Sequence, residues 1–357
     1  MEAQQIDRKM DGGKKLKIAV IAFEMILPNQ RTGGVSHFNY RLCTKLSEMG
    51  HEVTAITMNS SLDDVNFNML SLIKDGNINK RFSRYYLAPL SGREIDFNSY
   101  DIVISNGDDW AMRRPEIPWI RIMHGSALRE LQHNRRLLRK LNLSVLYLLE
   151  KFSSKRSTVT LFNSRDTQVL YARRKQDEVV HLPVDTNLFY PSEKEADPTI
   201  LFVGALDSRK RGRMVRDLYL SIIKKQIPNC KLWMVCNPDE SFDGVTYFTQ
   251  LSNEELADLY RRAHVFCMPS TYEGFGLPYL EALASGTLVV TTPNPGANEI
   301  LDNGSYGLIV EDGVLASSIT NALRDLEKYE FMIRKGLNFA ESQSWESVIK
   351  KYLSYLN

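Results

Sequence analysis

The chain has 357 residues, enough for two domains that each bury a core. Hydrophobic residues make up 43% and charged residues 25%, the balance of a folded globular protein rather than a disordered or fibrous one. The 45 basic residues against 43 acidic ones leave a net charge of +2, so no global field draws the chain to nucleic acid and any basic surface is local.

The polar opening "MEAQQIDRKMDGGKK" (1–15) has no apolar core and reads as a disordered lead-in, not a secretion signal. "LKIAVIAF" (16–23) is a buried strand. "HFNYRLCTKLSEMG" (37–50) sets Phe38, Leu42, Leu46 and Met49 on one helical face and ends at Gly50, and "HEVTAITM" (51–58) is the next strand. Strand, helix and strand in that order give a parallel, right-handed unit. "YDIVISN" (100–106), "PWIRIMH" (118–124), "TVTLFNS" (158–164) and "VVHLP" (179–183) continue the series. "PSEKEADP" (191–198) has two prolines and no periodicity, and reads as a linker. The pattern then restarts with strands "TILFVGA" (199–205), "KLWMVCN" (231–237), "HVFCMPS" (264–270) and "TLVVTTP" (287–293). Among the helices between them, one opens on "SNEE", where Ser252 and Glu255 fit a capping box. The expectation is two open α/β domains with mainly parallel sheets, 16–190 and 199–340, facing a cleft, with a last helix at 341–357. Cys43, Cys230, Cys236 and Cys267 show no metal-like spacing, and three lie in apolar runs; reduced, buried thiols in a reducing cytoplasm follow. No run of about eighteen apolar residues marks a membrane span.

Ligands of such sheets bind beyond the carboxyl ends of the strands, so the βα loops carry the chemistry. "TYEGFGLPYLEALASG" (271–286) follows a strand and opens a helix. Gly274 and Gly276 let backbone N–H groups approach a ligand, Pro278 suits a first helical turn, and the helix start favours an anion such as phosphate. Glu273 can reach past a phosphate to hydroxyls, and Glu281, one turn in, can bind a diol such as a ribose. Two carboxylates around one anion-binding turn fit a sugar–diphosphate–nucleoside; a solvated helix residue and a loop charge explain them as simply, since short glycine motifs match often by chance. In "GALDSRKRGR", Arg209, Lys210 and Arg211 place cations where a departing diphosphate would sit, or form a solvated basic turn. "RTGGVSHF" offers Gly33 and Gly34 for close approach but lacks the G-x-G-x-x-G spacing of nicotinamide sites; His37 starts a helix. His124 ends a strand, where it can donate to a sugar hydroxyl or carbonyl. Asp108 and Asp109 have no His or Cys beside them and read as a polar loop rather than a metal site. Segment 128–156 is basic and amphipathic, with Arg129, Arg135, Arg136, Arg139 and Lys140 near its start. It is either a surface helix pair with a solvated face or a peripheral contact with anionic lipid headgroups.

Taken in order, these loops resemble the retaining GT-B glycosyltransferases of family four. The resemblance rests on Gly-Gly in the first loop, His-Gly at 124–125, "VGALDSRKRG", the E-x7-E pair, "HLPVDTNLFYP" (181–191), "GTLVVTTPNPGANEIL" and the closing "SWESVIKKYLSYL". It runs from about residue 16 to the end. It implies a GT-B architecture of two Rossmann-like domains, the first for an acceptor and the second for a nucleotide-sugar donor, with the final helix returning to the first. By the same resemblance Glu273 contacts the donor sugar, Gly274, Phe275, Gly276 and Leu277 hold diphosphate and sugar, and Glu281 binds the ribose. Lys210 neutralises the diphosphate, His124 touches a far sugar hydroxyl, and Gly33, Gly34 and Gly204 belong to the donor site. Two positions depart from the family pattern: Ala205 stands where an arginine is frequent, with Arg209 as the replacement charge, and Leu182-Pro183 stands where Asn-Gly is usual.

The expected function is transfer of a hexose from a nucleotide-sugar, UDP-glucose first and GDP-mannose next, to a hydroxyl of a saccharide, lipid-linked or small acceptor. No cofactor and no metal are expected, the nucleotide-sugar being a co-substrate. The expected location is the cytoplasm, either free or, if segment 128–156 meets lipid, peripheral at the inner membrane face. An epimerase on the same architecture would need acid–base groups around the sugar, and a non-catalytic partner subunit would not need an intact E-x7-E.

Overall fold

The computed structural model describes residues 14–26, 33–58, 62–73, 82–133, 136–171 and 174–356. Most of the lead-in, and Arg135 of the basic segment, lie outside them. The chain divides into two compact units, Met1–Leu161 with Ser354–Asn357, and Phe162–Leu353.

The first sheet contains β1 (Lys17–Ile21), β2 (Glu52–Thr57), β3 (Asn68–Ser71), β4 (Ile102–Ser105), β5 (Trp119–Met123), β6 (Val159–Phe162) and β7 (Glu178–Val179) in the order β3-β2-β1-β4-β5-β6-β7. β1 pairs in parallel with β2 on one side and β4 on the other, with Ile18 opposite Val53 and Ile102. Its Ile18, Ala19, Val20 and Ile21 are fully buried, as are most side chains of β4 and β5, which is why these strands read as unbroken apolar runs. Helix α1 (Gly34–Glu48) buries Phe38, Leu42, Cys43 and Leu46 and stops before Gly50, whose φ of +89° a side chain would resist. Helices α2 (Ala127–His133), α3 (Leu137–Arg156) and α4 (Arg165–Tyr171) follow β5 and β6.

The second sheet contains β8 (Thr199–Val203), β9 (Lys231–Val235), β10 (Val245–Phe248), β11 (Val265–Cys267), β12 (Leu288–Thr291) and β13 (Leu308–Ile309) in the order β10-β9-β8-β11-β12-β13. β8 pairs in parallel with β9 and with β11, so the strand order reverses between β8 and β11. In the first sheet it reverses between β1 and β4. These reversals open crevices at the carboxyl ends of the strands. The longer helices of this part include α5 (Gly212–Leu218), α6 (Asn253–Arg262), α7 (Leu277–Ala284), α8 (Pro295–Ile300), α9 (Leu315–Arg324), α10 (Glu330–Ser342) and α11 (Trp345–Leu353). At the start of α6 the expected capping box forms: Ser252 Oγ accepts from Glu255 N at 3.2 Å and Ser252 N donates to Glu255 Oε2 at 2.8 Å.

Three strands fall outside the sequence reading. β3, β10 and β13 lie at sheet edges, run for only two to four residues and are only partly buried. The segment 191–198 is held against its own unit. Lys194 Nζ donates to Arg261 O at 2.9 Å, Ser285 O at 3.3 Å and Thr287 Oγ1 at 2.8 Å, satisfying carbonyls at the ends of α6 and α7. Glu195 pairs with Arg262 and Lys231.

Candidate functional site

In the second unit the reversal between β8 and β11 gathers the predicted cations and carboxylates. Gly204 follows β8 with φ +156°, and a Cβ there would lie 2.4 Å from Lys210 Cδ. Glycine at this point lets the Lys210 stem fold back over the strand end, where Nζ donates to Val203 O at 3.2 Å. Burial lowers the Lys210 pKa; the Glu273 and Glu281 carboxylates oppose that shift and Arg209 adds to it, so the ammonium feels both members of the E-x7-E pair. Arg209 bridges to the other loop: Nε donates to Tyr272 O at 2.9 Å and Nη2 to Glu273 Oε2 at 3.0 Å. The buried Glu273 carboxylate also accepts from Ser270 Oγ at 3.1 Å. Arg211, read from the sequence as a third cation at the mouth, is committed elsewhere. It binds Pro269 O, Thr292 Oγ1 at 2.9 Å and both oxygens of Asp312 at 2.7 and 2.8 Å, tying together the ends of β11 and β12.

The turn after Glu273 leads into α7. Gly276 caps it with φ +92°, and a Cβ there would lie 2.5 Å from Tyr279 Cδ2. Leu277 begins the helix and Pro278 follows, as expected for a first turn. Among the described residues the N–H groups of Gly274, Phe275, Gly276 and Leu277 find no acceptor in the protein. Four open donors at a positive helix end, with Lys210 and Arg209 alongside, form an anion site. A Cβ on Gly274 would lie 3.7 Å from Tyr272 Oη, an ordinary contact, whereas Phe275 packs in the core near the His181 ring. Glu281 is partly exposed one turn into α7. Burial and then this neighbouring carboxylate push the Tyr260 phenol of α6 well above its ordinary range.

Several side chains that shape this turn were not singled out by the sequence. Tyr279 Oη donates to Met268 O at 3.0 Å. Asn294 caps α8 by accepting from Ala297 N at 2.9 Å and donates to Ser270 O at 3.2 Å, so one residue fixes both the helix and the residue that binds Glu273. Gly296 N donates to Glu273 O at 2.8 Å, and a Cβ on it would lie 2.7 Å from Phe275 O and 2.9 Å from Glu273 O. The Asn-Pro-Gly order in "PNPGANEI" carries the signal: a capping residue, a first-turn proline, then a position without a side chain.

In the first unit a cavity of about 200 Å³ opens at the carboxyl ends of β1, β4 and β5, lined by Glu24, Asn106, Asp108, His124 and Glu150 among others. His124 follows β5. Its ring packs edge-on against Phe38 of α1 at 4.6 Å, and Nε2 lies 3.3 Å from Asn106 Oδ1. Burial, with Arg121 nearby, pushes its pKa down to about 4, so the imidazole is a neutral hydrogen-bonding group at physiological pH. Asn106 is 8% exposed and its Nδ2 has no acceptor among the described residues. Gly33 caps the start of α1 and Gly34 begins it, and among the described residues nothing lies within 4 Å of where a side chain on either would project. The adjacent aspartates have separate roles. Asp109 is buried and accepts from Arg121 at 2.6 Å, Trp119 Nε1 at 2.7 Å and Arg114 at 3.0 Å. Asp108 faces the cavity, and burial raises its carboxyl to about 6 against the pull of Arg121 and Arg84. The first unit thus holds Gly33, Gly34 and His124; the second holds Gly204, Arg209, Lys210, Glu273 to Leu277 and Glu281.

Two outcomes follow from this geometry. Gly296→Ala must push the Glu273–Phe275 backbone out of place, and is expected to weaken nucleoside diphosphate binding by at least about tenfold in calorimetry, about 1.4 kcal/mol. Undiminished affinity would show that the turn does not depend on α8. Asp108 keeps its proton in the folded chain at pH values where the unfolded chain has lost it. Its contribution to stability is therefore lost as pH rises from about 4 to about 6 and stays lost above that. Asp108→Asn is expected to raise the thermal midpoint at pH 7.5 and to leave it unchanged at pH 4. An equal shift at both values would contradict the assignment.

The chain was compared with known proteins. The profile described as Glycosyl transferases group 1 matches residues 197–328, and that described as Glycosyltransferase Family 4 matches residues 32–188, so together they take in most of the chain. A curated relative, the MMP alpha-(1->4)-mannosyltransferase of Mycolicibacterium hassiacum, is 37% identical over 33% of this chain and 31% of its own length. The chain thus spans about a third of that relative in the match. Among solved structures, a sucrose-phosphate synthase from Thermosynechococcus elongatus shares the fold with a TM-score of 0.72 at 19% identity, over 95% of this chain and 98% of that one. Anabaena HepE in complex with UDP-glucose does so with a TM-score of 0.68 at 14% identity, over 96% and 99%. With two parallel-sheet units of the GT-B kind and family matches over both, the chain belongs to the group 1, family 4 glycosyltransferases.

Proposed function

We propose that the protein transfers a hexose from a nucleotide-sugar to an acceptor hydroxyl with retention at the anomeric carbon. The observation that carries this reading is the meeting of Lys210, Arg209 and Glu273 at the open N–H groups of Gly274 to Leu277. A diphosphate fits the cations and the helix start, and the flanking carboxylates Glu273 and Glu281 fit sugar and ribose hydroxyls. UDP-glucose is the first donor to try and GDP-mannose the next. The UDP-glucose complex of HepE supports the one, and the named activity of the Mycolicibacterium mannosyltransferase supports the other. The acceptor is a saccharide, a lipid-linked molecule or a small hydroxyl compound, and the place of work is the cytoplasm at the inner membrane face.

In the transfer, the bond between the anomeric carbon and the diphosphate oxygen breaks with its electron pair left on the diphosphate. The acceptor oxygen bonds to the same face of the carbon, and its proton passes to the departing diphosphate. Lys210, Arg209 and the α7 N–H groups stabilise the charge that develops on the leaving group, at positions fixed before the reaction begins. Glu273 holds the sugar through its hydroxyls, Glu281 the ribose, and neutral His124 a far sugar hydroxyl. Gly33, Gly34 and Gly204 keep the backbone open to the donor. An epimerase would need acid–base groups around the sugar, for which Glu273 and His124 are the only candidates in this set; donor turnover with and without acceptor separates the two.

The two glutamates are separable. Glu281→Ala is expected to weaken nucleoside diphosphate binding by roughly ten- to hundredfold, as a hydrogen bond to a charged group is worth about 1.5–3 kcal/mol. Glu273→Gln is expected to leave that binding nearly intact while most transfer is lost. Equal loss of diphosphate affinity in both variants, or full transfer by Glu273→Gln, would overturn the division. With the charge of the leaving group met by side chains and backbone, transfer is expected to keep its rate in excess chelator. A loss restored by manganese or magnesium would show that a metal ion does this work.

A further inference from the structure

Helix α3 has two apolar faces. Leu143 and Leu146 are buried in the first unit. At about 100° per residue, Leu137, Leu138, Leu141, Val145, Leu148 and Phe152 share an arc of about 100° on the opposite side. All six are exposed, Leu137 and Leu138 at 81% and 83%. The stripe runs for about 24 Å, far beyond the scattered apolar residues of an ordinary surface. Basic residues border it: Arg136, Lys140 and Lys155 are exposed and Lys151 partly so. The helix has a single acidic residue, Glu150, which lies on the buried side and accepts from Ala127 N at 3.2 Å. A second copy packed on this face would bring like charges together, whereas an anionic lipid surface matches both the leucines and the lysines. At the start of α3, Leu137 and Leu138 join Phe82, Tyr85 and Tyr86 around a groove of about 620 Å³. Tyr85 also lines the polar cavity that holds Asn106, Asp108 and His124.

We propose that α3 docks the first unit on an anionic lipid bilayer, and that the acceptor is a lipid-anchored hydroxyl compound with its head in the polar cavity and its tail along the groove. The docking stands without the transferase reading; the nature of the acceptor rests on it. No helix among the described residues is long and apolar enough to cross a membrane, so this contact is peripheral.

The test is flotation of the full chain with vesicles of equal phosphatidylcholine and phosphatidylglycerol, and with phosphatidylcholine alone. The chain is expected to float with the anionic vesicles, less at high salt and little with the neutral ones. The triple variant Leu138→Ser, Leu141→Ser, Leu148→Ser is expected to lose at least about tenfold in partitioning. Its far-ultraviolet circular dichroism and nucleoside diphosphate affinity are expected to be unchanged. Absence of flotation by the parent chain, equal flotation by the variant, or a dimer in sedimentation that the variant dissolves would each overturn the docking face. Flotation without turnover of any nucleotide-sugar would support the docking face and count against the transferase reading, so the two are told apart. Given turnover, equal rates with a water-soluble acceptor whether or not vesicles are present, and none with a lipid-anchored one, would overturn the acceptor class.

Discussion

A carboxylate taken out of water has to be met by donors, and the second unit is organised around meeting one. Glu273 is buried at the end of β11, next to the strand β8 from which the sheet order reverses. Ser270 from its own loop and Arg209 from the β8 loop satisfy it, so the charge draws the two loops of the crevice together. With Glu273 fixed, the next four residues lead into α7 with their N–H groups unpaired among the described residues, while Lys210 is held over the end of β8. Unpaired N–H donors at a positive helix end with cations nearby are a costly arrangement for a protein alone, and an anion placed there would relieve it.

The supporting contacts make this turn stiff. Asn294 and Gly296 from the start of α8 bind the loop from behind, and Tyr279 reaches back from α7 to the end of β11. Lys194 closes the far ends of α6 and α7, its Nζ donating to Arg261 O, Ser285 O and Thr287 Oγ1. Preorganisation of this kind means that the donors need not rearrange as charge develops on a leaving group.

Much of this was legible in the sequence because it rests on local rules. Buried parallel strands are apolar runs, Ser252 and Glu255 announce a helix start, and Gly276 and Pro278 announce another. The cations at 209–210 and the paired glutamates stood at strand ends, where ligands of such sheets bind. The rest depends on contacts between residues distant in the chain. Nothing local distinguishes Arg211 from Arg209 and Lys210, yet it is spent on Asp312 and on the ends of β11 and β12. Asp108 and Asp109 are neighbours in sequence but alternate between the cavity and a buried pair of arginines. The edge strands β3, β10 and β13 run for only two to four residues, so they leave little local signal. In α3 the periodicity was visible, but which of its two apolar faces is buried is set by packing against the rest of the first unit.

The account's central claim is that the crevice at the start of α7 is a nucleoside diphosphate site with Lys210 at its centre. Calorimetry of UDP and GDP against the parent chain and Lys210→Met tests it most directly, since methionine keeps the stem that lies over Gly204 and removes only the charge. The account predicts saturable binding of one of the two diphosphates by the parent chain and a loss of at least about tenfold in the variant, about 1.4 kcal/mol. Binding of neither nucleotide, or equal affinity in both proteins, would contradict it.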